Sequence, residues 1–301
     1  MPKALKYIGY FLLFIFSFLF FLYWTFPYDV LKDRMINTAA QQLGSDYDVR
    51  IGDFSPSFFT GASLKQVKIL KHEGDNVKTL WSAAKVKIRA SIGSILFGKT
   101  NVKFSAKNQK SSISGNFKKT DEGFNFAGSF SNFNIGDLGF LDNVKLTSAI
   151  DGDIKLNINK RQMLQSSGAA DLELSDIKLA AGDLNLGEGF SFNIPELFLS
   201  KGSGSVLQFE LSKGAVRIKQ LKLADGDLKL DVSGDIFISS IFKNYRMNLK
   251  GTFSVTPKME QAMPFLFMVE KQRQPDGTYP ISITGRIGQP SIKIGDFTLP
   301  I

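Results

Sequence analysis

The 301-residue chain has no cysteine and one histidine, His72. Without cysteine there is no disulfide, no thiolate metal site and no thiol nucleophile. With a single histidine, no zinc site built on two or more histidines exists. A Ser-His-Asp triad has only His72 to rest on. That residue stands in Lys71-His72-Glu73-Gly74, a polar stretch that reads as a solvent-exposed turn. No pair of acids sits in the apolar context that raises a pKa for acid catalysis. Asp151/Asp153 and Asp225/Asp227 flank glycines at predicted turns and read as solvated. Each pair has too few ligands for a calcium loop. The inventory predicts a protein that is not an enzyme and that uses no cofactor and no metal.

Phenylalanine and positive charge are abundant. The chain has 28 Phe, an unusual share for a globular protein. Lys+Arg number 37 against 28 Asp+Glu, a net charge of +9. The cations are spread along the chain without a dense run. Such a surface suits anionic headgroups or acidic partners, and no nucleic-acid partner is expected.

Residues 7–26, YIGYFLLFIFSFLFFLYWTF, carry no formal charge and seven of the Phe. As a helix this run spans about 30 Å, the hydrocarbon thickness of a bilayer. It is too long for a signal-peptide core and lacks a small-x-small cleavage site. It predicts an uncleaved membrane anchor, with Tyr7, Phe11, Phe14, Phe18, Phe21, Trp24 and Phe26 in lipid or at its interface. Lys3, Lys6 and the α-amino group precede it, and Lys32 and Arg34 come after it. Three cations against two favour a cytoplasmic tail over residues 1–6. Pro27 and Asp29 open a predicted juxtamembrane helix within 27–44, stopped by Gly44. Leu31, Met35, Ile36, Ala39, Ala40 and Leu43 share its apolar face, which should pack on the first part of the β-rich region.

From Asp48 onward the hydrophobic period becomes two. Val86, Ile88, Val102, Phe104, Phe124, Phe126, Leu146, Ile154, Leu230, Ile236, Leu249 and Phe253 all sit on the apolar side of alternating runs. Alternation of this kind belongs to antiparallel sheet with one wet face. Gly115, Gly128, Gly152, Gly234 and Gly251 interrupt the runs and predict bulges or bends. Only one further helix is expected, capped by Thr256, opened by Pro257 and interrupted by Pro264. Two short helices cannot cover ten or more strands, so the sheet should curl around a partly open apolar interior. The twelve residues above are its candidate lining. Asp151 to Ile158 matches Asp225 to Val232 at five of eight positions, a faint internal repeat.

Gly93-Ser-Ile-Leu-Phe-Gly98-Lys99-Thr100 matches the P-loop pattern. The fold around it does not. An alternating strand comes next where a helix is required, and the loop residues are apolar. It reads as a short apolar connection between strands.

The layout resembles the type II secretion system protein N family, in its longer form related to AsmA-like proteins. Three features carry the resemblance. One is the anchor followed by Phe26-Pro27-Tyr28 and a helix. Another is the strand–Ser94-Ile95-Leu96-Phe97-Gly98-Lys99–strand segment between Val86 and Phe104. The third is the closing stretch from Asp276-Gly277 through Ile281 and Gly285 to Pro290. The resemblance implies a Gram-negative inner-membrane protein, single-pass, with residues 45–301 forming a β-rich periplasmic domain: a long, curled antiparallel sheet, taco-like or a half-barrel groove. It implies a non-catalytic assembly role in type II secretion alongside other secretion subunits. For the AsmA-like relatives it implies a phospholipid-binding or lipid-transfer groove serving the outer membrane. It carries no active-site residues.

Overall fold

In the computed structural model the described residues are 3–25, 27–44, 46–57, 61–73, 76–91, 100–138, 146–185, 191–239, 241–262 and 264–299. The P-loop-like segment, apart from Thr100, and Phe26 lie outside them. Helix α1 (Lys3–Thr25) is 23 residues long. Side chains at positions 3–9, 19, 22 and 23, Tyr7 among them, are outside the described set. Among the described residues, no helix is long and apolar enough to cross a membrane.

Helix α2 (Tyr28–Leu43) ends where its sequence says it should. Gly44 has φ 113°, open only to a residue without Cβ strain, and its N–H donates to the Ala40 carbonyl. The helix packs on the start of the sheet. Met35 joins the cluster of Leu64, Val67, Ala83, Val86 and Ala106. The Tyr28 ring lies 6.2 Å from Phe54, and Lys32 Nζ donates to the Gly52 carbonyl at 2.6 Å.

The remainder is mainly β. The strands are β1 (Tyr47–Arg50), β2 (Phe54–Ser57), β3 (Gly61–Glu73), β4 (Asn76–Ala90), β5 (Asn101–Asn108), β6 (Ser111–Lys119), β7 (Gly123–Phe133), β8 (Leu146–Asn159) and β9 (Ser167–Leu179). After the small hairpin β10 (Gly182–Asn185) and β11 (Ser191–Ile194) come β12 (Leu197–Ser200), β13 (Ser205–Ser212), β14 (Ala215–Leu223), β15 (Leu228–Phe237), β16 (Arg246–Val255), β17 (Tyr279–Arg286), β18 (Gln289–Ile294) and β19 (Phe297–Thr298). Seventeen of them form one antiparallel sheet, and β10–β11 stands apart. Strands β3 to β9 run as a meander, then β13 takes the free edge of β9 and a second meander runs to β19.

Three expectations are corrected. The sheet is not strongly curled. Each bulge bends its strand and adds twist, so curl needs bulges throughout a sheet. Here the register shifts fall at β3–β4, β7–β8, β8–β9, β9–β12, β13–β14 and β14–β15. Pairing from β4 to β7 and from β15 to β18 is unshifted. Second, the two Asp-Gly-Asp segments are not equivalent. Asp151 and Asp153 lie inside β8, whereas Asp225 and Asp227 precede β15. Third, His72 belongs to β3, opposite Val77, rather than to a turn, although it is exposed as expected.

Helix α3 (Pro257–Ala262) and a 3-10 segment (Pro264–Gln272) come after β16. Both lie over the sheet. Leu266 and Val269 pack with Phe253, Tyr279 and Ile294, and Met259 packs with Leu197. Between this cover and α2 lies a central cluster around Phe133, Ile150, Leu172, Leu174, Ile177 and Leu223.

Candidate functional site

Register decides what the apolar face can do. Because side chains alternate, directly paired residues share a face. One row of direct pairs runs Val102–Phe117–Phe126–Leu156–Gly168–Leu211–Val216–Ile236–Met247. The adjacent row runs Ile88–Phe104–Gly115–Gly128–Ile154–Ala170–Phe209–Ile218–Gly234–Leu249–Ile283–Ile292. At about 4.8 Å per strand this stripe is roughly 50 Å long. It lies along one end of the strands. The helical covers lie toward the other end, and the central cluster reaches into the stripe at Ala170, with Ile154 and Phe209 packed against it.

The twelve candidate lining residues divide accordingly. Val86 and Phe253 are buried, at 9% and 8% exposure, under α2 and under the 3-10 segment respectively. Ile88 packs against the first cluster, and Leu146, Ile154 and Leu230 against the central one. Val102, Phe104, Phe124, Phe126, Ile236 and Leu249 belong to no buried cluster and are half-buried. Phe117, Val216 and Met247 share the stripe and were missed. Their strands alternate as clearly as the others, so the signal was present.

The half-burial has a local cause. Phe104 lies over Gly115, where a Cβ would come within 2.8 Å of its ring. Phe126 lies over Gly128 in the same way, also at 2.8 Å. The two rings stack at 6.2 Å, and Phe117 stacks on Phe124 at 5.6 Å. Gly115 and Gly128, expected as bends, are instead flat seats for aromatic rings in an unshifted ladder. Gly152 (φ 133°) and Gly234 (φ 140°) do mark bends.

Two polar constructions brace the covered end. Asp227 is 6% exposed. Its carboxylate accepts from the Phe198 amide at 2.8 Å and the Thr256 hydroxyl at 3.1 Å. Burial pushes its pKa up, but these hydrogen bonds, with Lys258 and Lys201, hold it below the ordinary carboxylate value. Thr256 donates its hydroxyl to Asp227, and its carbonyl accepts from the Met259 and Glu260 amides at the start of α3. Asp225 is also engaged, accepting from Ser200 and the Lys201 amide. The expectation that this acid pair is solvated fails for Asp227. The second brace is Tyr279, 1% exposed and stacked on Phe253 at 5.2 Å. Its hydroxyl donates to Glu270 at 2.6 Å, and Arg273 pairs with Glu270 at 3.3 Å. Burial, then that hydrogen bond, pushes the phenol up to about 12.

The polar face separates its charges. Lys65, Lys85 and Lys107 stand directly opposite one another on β3, β4 and β5, as do Arg89 and Lys103. Asp153 faces Asp171, and Asp151 faces Glu173, on β8 and β9. Among the described residues no group of His, Asp and Glu could hold a metal ion.

Compared with family models, curated proteins and solved structures, the chain finds no match. Its function has to be argued from its own geometry.

Proposed function

We propose that the chain is a non-catalytic, inner-membrane-anchored protein of the Gram-negative envelope whose apolar stripe receives lipid acyl chains. The observation that carries this is the stripe itself: an apolar row about 50 Å long on a sheet that is not strongly curled, in which Leu211 and Ala170 are buried but Phe104, Phe126, Ile236 and Leu249 are only partly so. A monomer gains nothing by leaving such a surface facing water, whereas acyl chains gain by covering it. Anchoring is supported by α1. Tyr10, Phe11, Leu12, Leu13 and Phe14 are five consecutive residues, each 60–68% exposed. Five residues exceed a full helical turn, so no side of that segment is covered by protein. Phe18, Phe21 and Trp24 are exposed along the same helix. The weak cation balance and the family resemblance support a periplasmic location for the sheet.

The test is lipid mass spectrometry of the full chain purified in a mild non-ionic detergent. Phospholipid should co-purify, and Phe126→Asp with Ile236→Asp should reduce its yield severalfold. Equal yields from the variant would refute the acyl-chain role.

An assembly role in type II secretion is favoured by a different observation. The sheet is not strongly curled, so the stripe is open enough for a flat protein partner such as another secretion subunit. Deleting the gene should then abolish secretion of a folded reporter. Unaffected secretion would remove this role.

A further inference from the structure

We propose that the loops at the bare end of β8, β9 and β13–β18 form a rim that docks on an anionic lipid surface. Four loops meet there: 160–166, 213–214, 238–245 and 287–288. Leu164 lies against the second of them, where a Cβ on Gly214 would come within 2.8 Å of its side chain. The Ile238 amide donates to the Gly214 carbonyl at 2.9 Å. The Gly288 amide donates to the Lys243 carbonyl at 3.0 Å, and the Ile287 amide to the Tyr245 carbonyl at 2.9 Å. The loops thus join into one rim, roughly 30 Å long at the usual strand spacing. This rim holds apolar side chains in water. Leu164 is 73% exposed, Ile241 58%, and Phe237 at the end of β15 49%. Leu164 is held out by a built loop. The Asn159 side chain accepts from the Arg161 and Gln162 amides at 3.0 and 2.8 Å. The hydroxyl of buried Ser166 accepts from the Asn159 amide at 3.0 Å.

The same rim carries charge of one sign. Lys160, Arg161, Lys213 and Lys243 lie in the loops, with Arg246 and Arg286 at adjoining strand ends, and all six are exposed. The four loops contain no Asp or Glu. At the covered end, the loops between β14 and β19 carry Asp225, Asp227, Glu260, Glu270, Asp276 and Asp296. The acid-free rim stops at the neighbouring loop 120–122, which holds Asp121 and Glu122. Apolar tips among cations suit a lipid interface, because the tips enter the headgroup boundary while Lys and Arg meet the phosphates. A protein partner fits less well, since the core of a protein interface is depleted of charge and of Lys. Here each apolar tip has a cation beside it. Leu164 shares its loop with Arg161 and Ile241 with Lys243, and Phe237 is the cross-strand partner of Arg246. This contact does not depend on what the apolar stripe carries.

The experiment holds the full chain in phosphatidylcholine nanodiscs, which occupy α1, and adds sucrose-loaded vesicles. One set is phosphatidylcholine alone, and the other is equal parts phosphatidylcholine and phosphatidylglycerol. Wild type should sediment with the mixed vesicles and stay behind with the neutral ones. The variants L164D/I241D and R161Q/K213Q/K243Q should each raise the lipid needed for half binding at least roughly tenfold. The control F267D removes an exposed apolar side chain from the covered end and should bind as wild type. Circular dichroism checks that all three fold. Because the chain has no cysteine, L164C takes a single nitrobenzoxadiazole label, whose emission should shift to the blue when mixed vesicles are added. Equal binding of wild type to both vesicles, wild-type affinity in either loop variant, or an unshifted label would overturn the proposal. Failure of wild type to bind the mixed vesicles would overturn it too, and would leave the rim to an acidic protein.

Discussion

The two ends of the strands bury the same kinds of residue by different means. At one end the apolar face is covered by separate elements. Leu266 and Val269 of the 3-10 segment seal Phe253 and Tyr279, and Met259 of α3 meets Leu197. At the other end Phe104 and Phe126 are shielded chiefly by lying flat on glycines of their own sheet. An added layer removes nearly all water from the residues beneath it. A ring on a glycine removes water from one side only. The first arrangement makes a core, and the second makes a surface that stays available.

The contrast can be broken by measurement. The largest effect is expected for Tyr279→Ala at the covered end, a loss of about 3–5 kcal/mol in urea unfolding, as for other buried aromatics. Asp227→Ala should cost about 2–3 kcal/mol, because the Phe198 amide and the Thr256 hydroxyl lose their acceptor. Asp227 also adds a pH dependence. Its folded pKa is depressed, so its contribution is present above the unfolded carboxylate value and is lost as pH falls through the folded one. Acid unfolding of Asp227→Ala should therefore be less steep than that of wild type. At the bare end Phe126→Ala should cost only about 1–2 kcal/mol, in line with partial burial. A cost equal to that of Tyr279→Ala would mean the bare end is a packed core and would erase the distinction.

The smallest effect is Tyr279→Phe, about 1 kcal/mol for a hydrogen bond to the exposed Glu270. It carries a sharper signature in alkali. The phenol's pKa is raised from 10.0 to about 12, so the folded state holds this proton more tightly than the unfolded chain. Stability from this group is complete below about pH 10 and falls as pH rises toward 12. Tyr279→Phe should remove that decline. An unchanged alkaline profile would show that the phenol is not buried as described.

Much of the fold was legible because its signals are local. Alternation at Val86–Ala90 and at Leu228–Val232 placed strands correctly. Gly44 marked the end of α2, and Pro257 the start of α3. Where local signals failed, a distant contact had intervened. Gly115 and Gly128 look like bends in sequence, but Phe104 and Phe126 use them as seats. Asp225 and Asp227 look like a solvated turn, but Phe198 and Thr256 arrive from elsewhere to engage Asp227. The curl was expected because two short helices cannot cover ten or more strands, but α2, α3 and the 3-10 segment cover only the flanks and the sheet between them is not strongly curled.

The sequence by itself determined which side of each strand is apolar, because alternate side chains on an extended backbone must point to opposite faces. It also determined the excess of Phe, the absence of cysteine and the single histidine. Only the tertiary structure decided which of those apolar residues would be sealed and which left bare. That depends on strand register and on where α2, α3 and the 3-10 segment come to rest. Both are set by contacts between residues far apart in the chain, which no local pattern encodes.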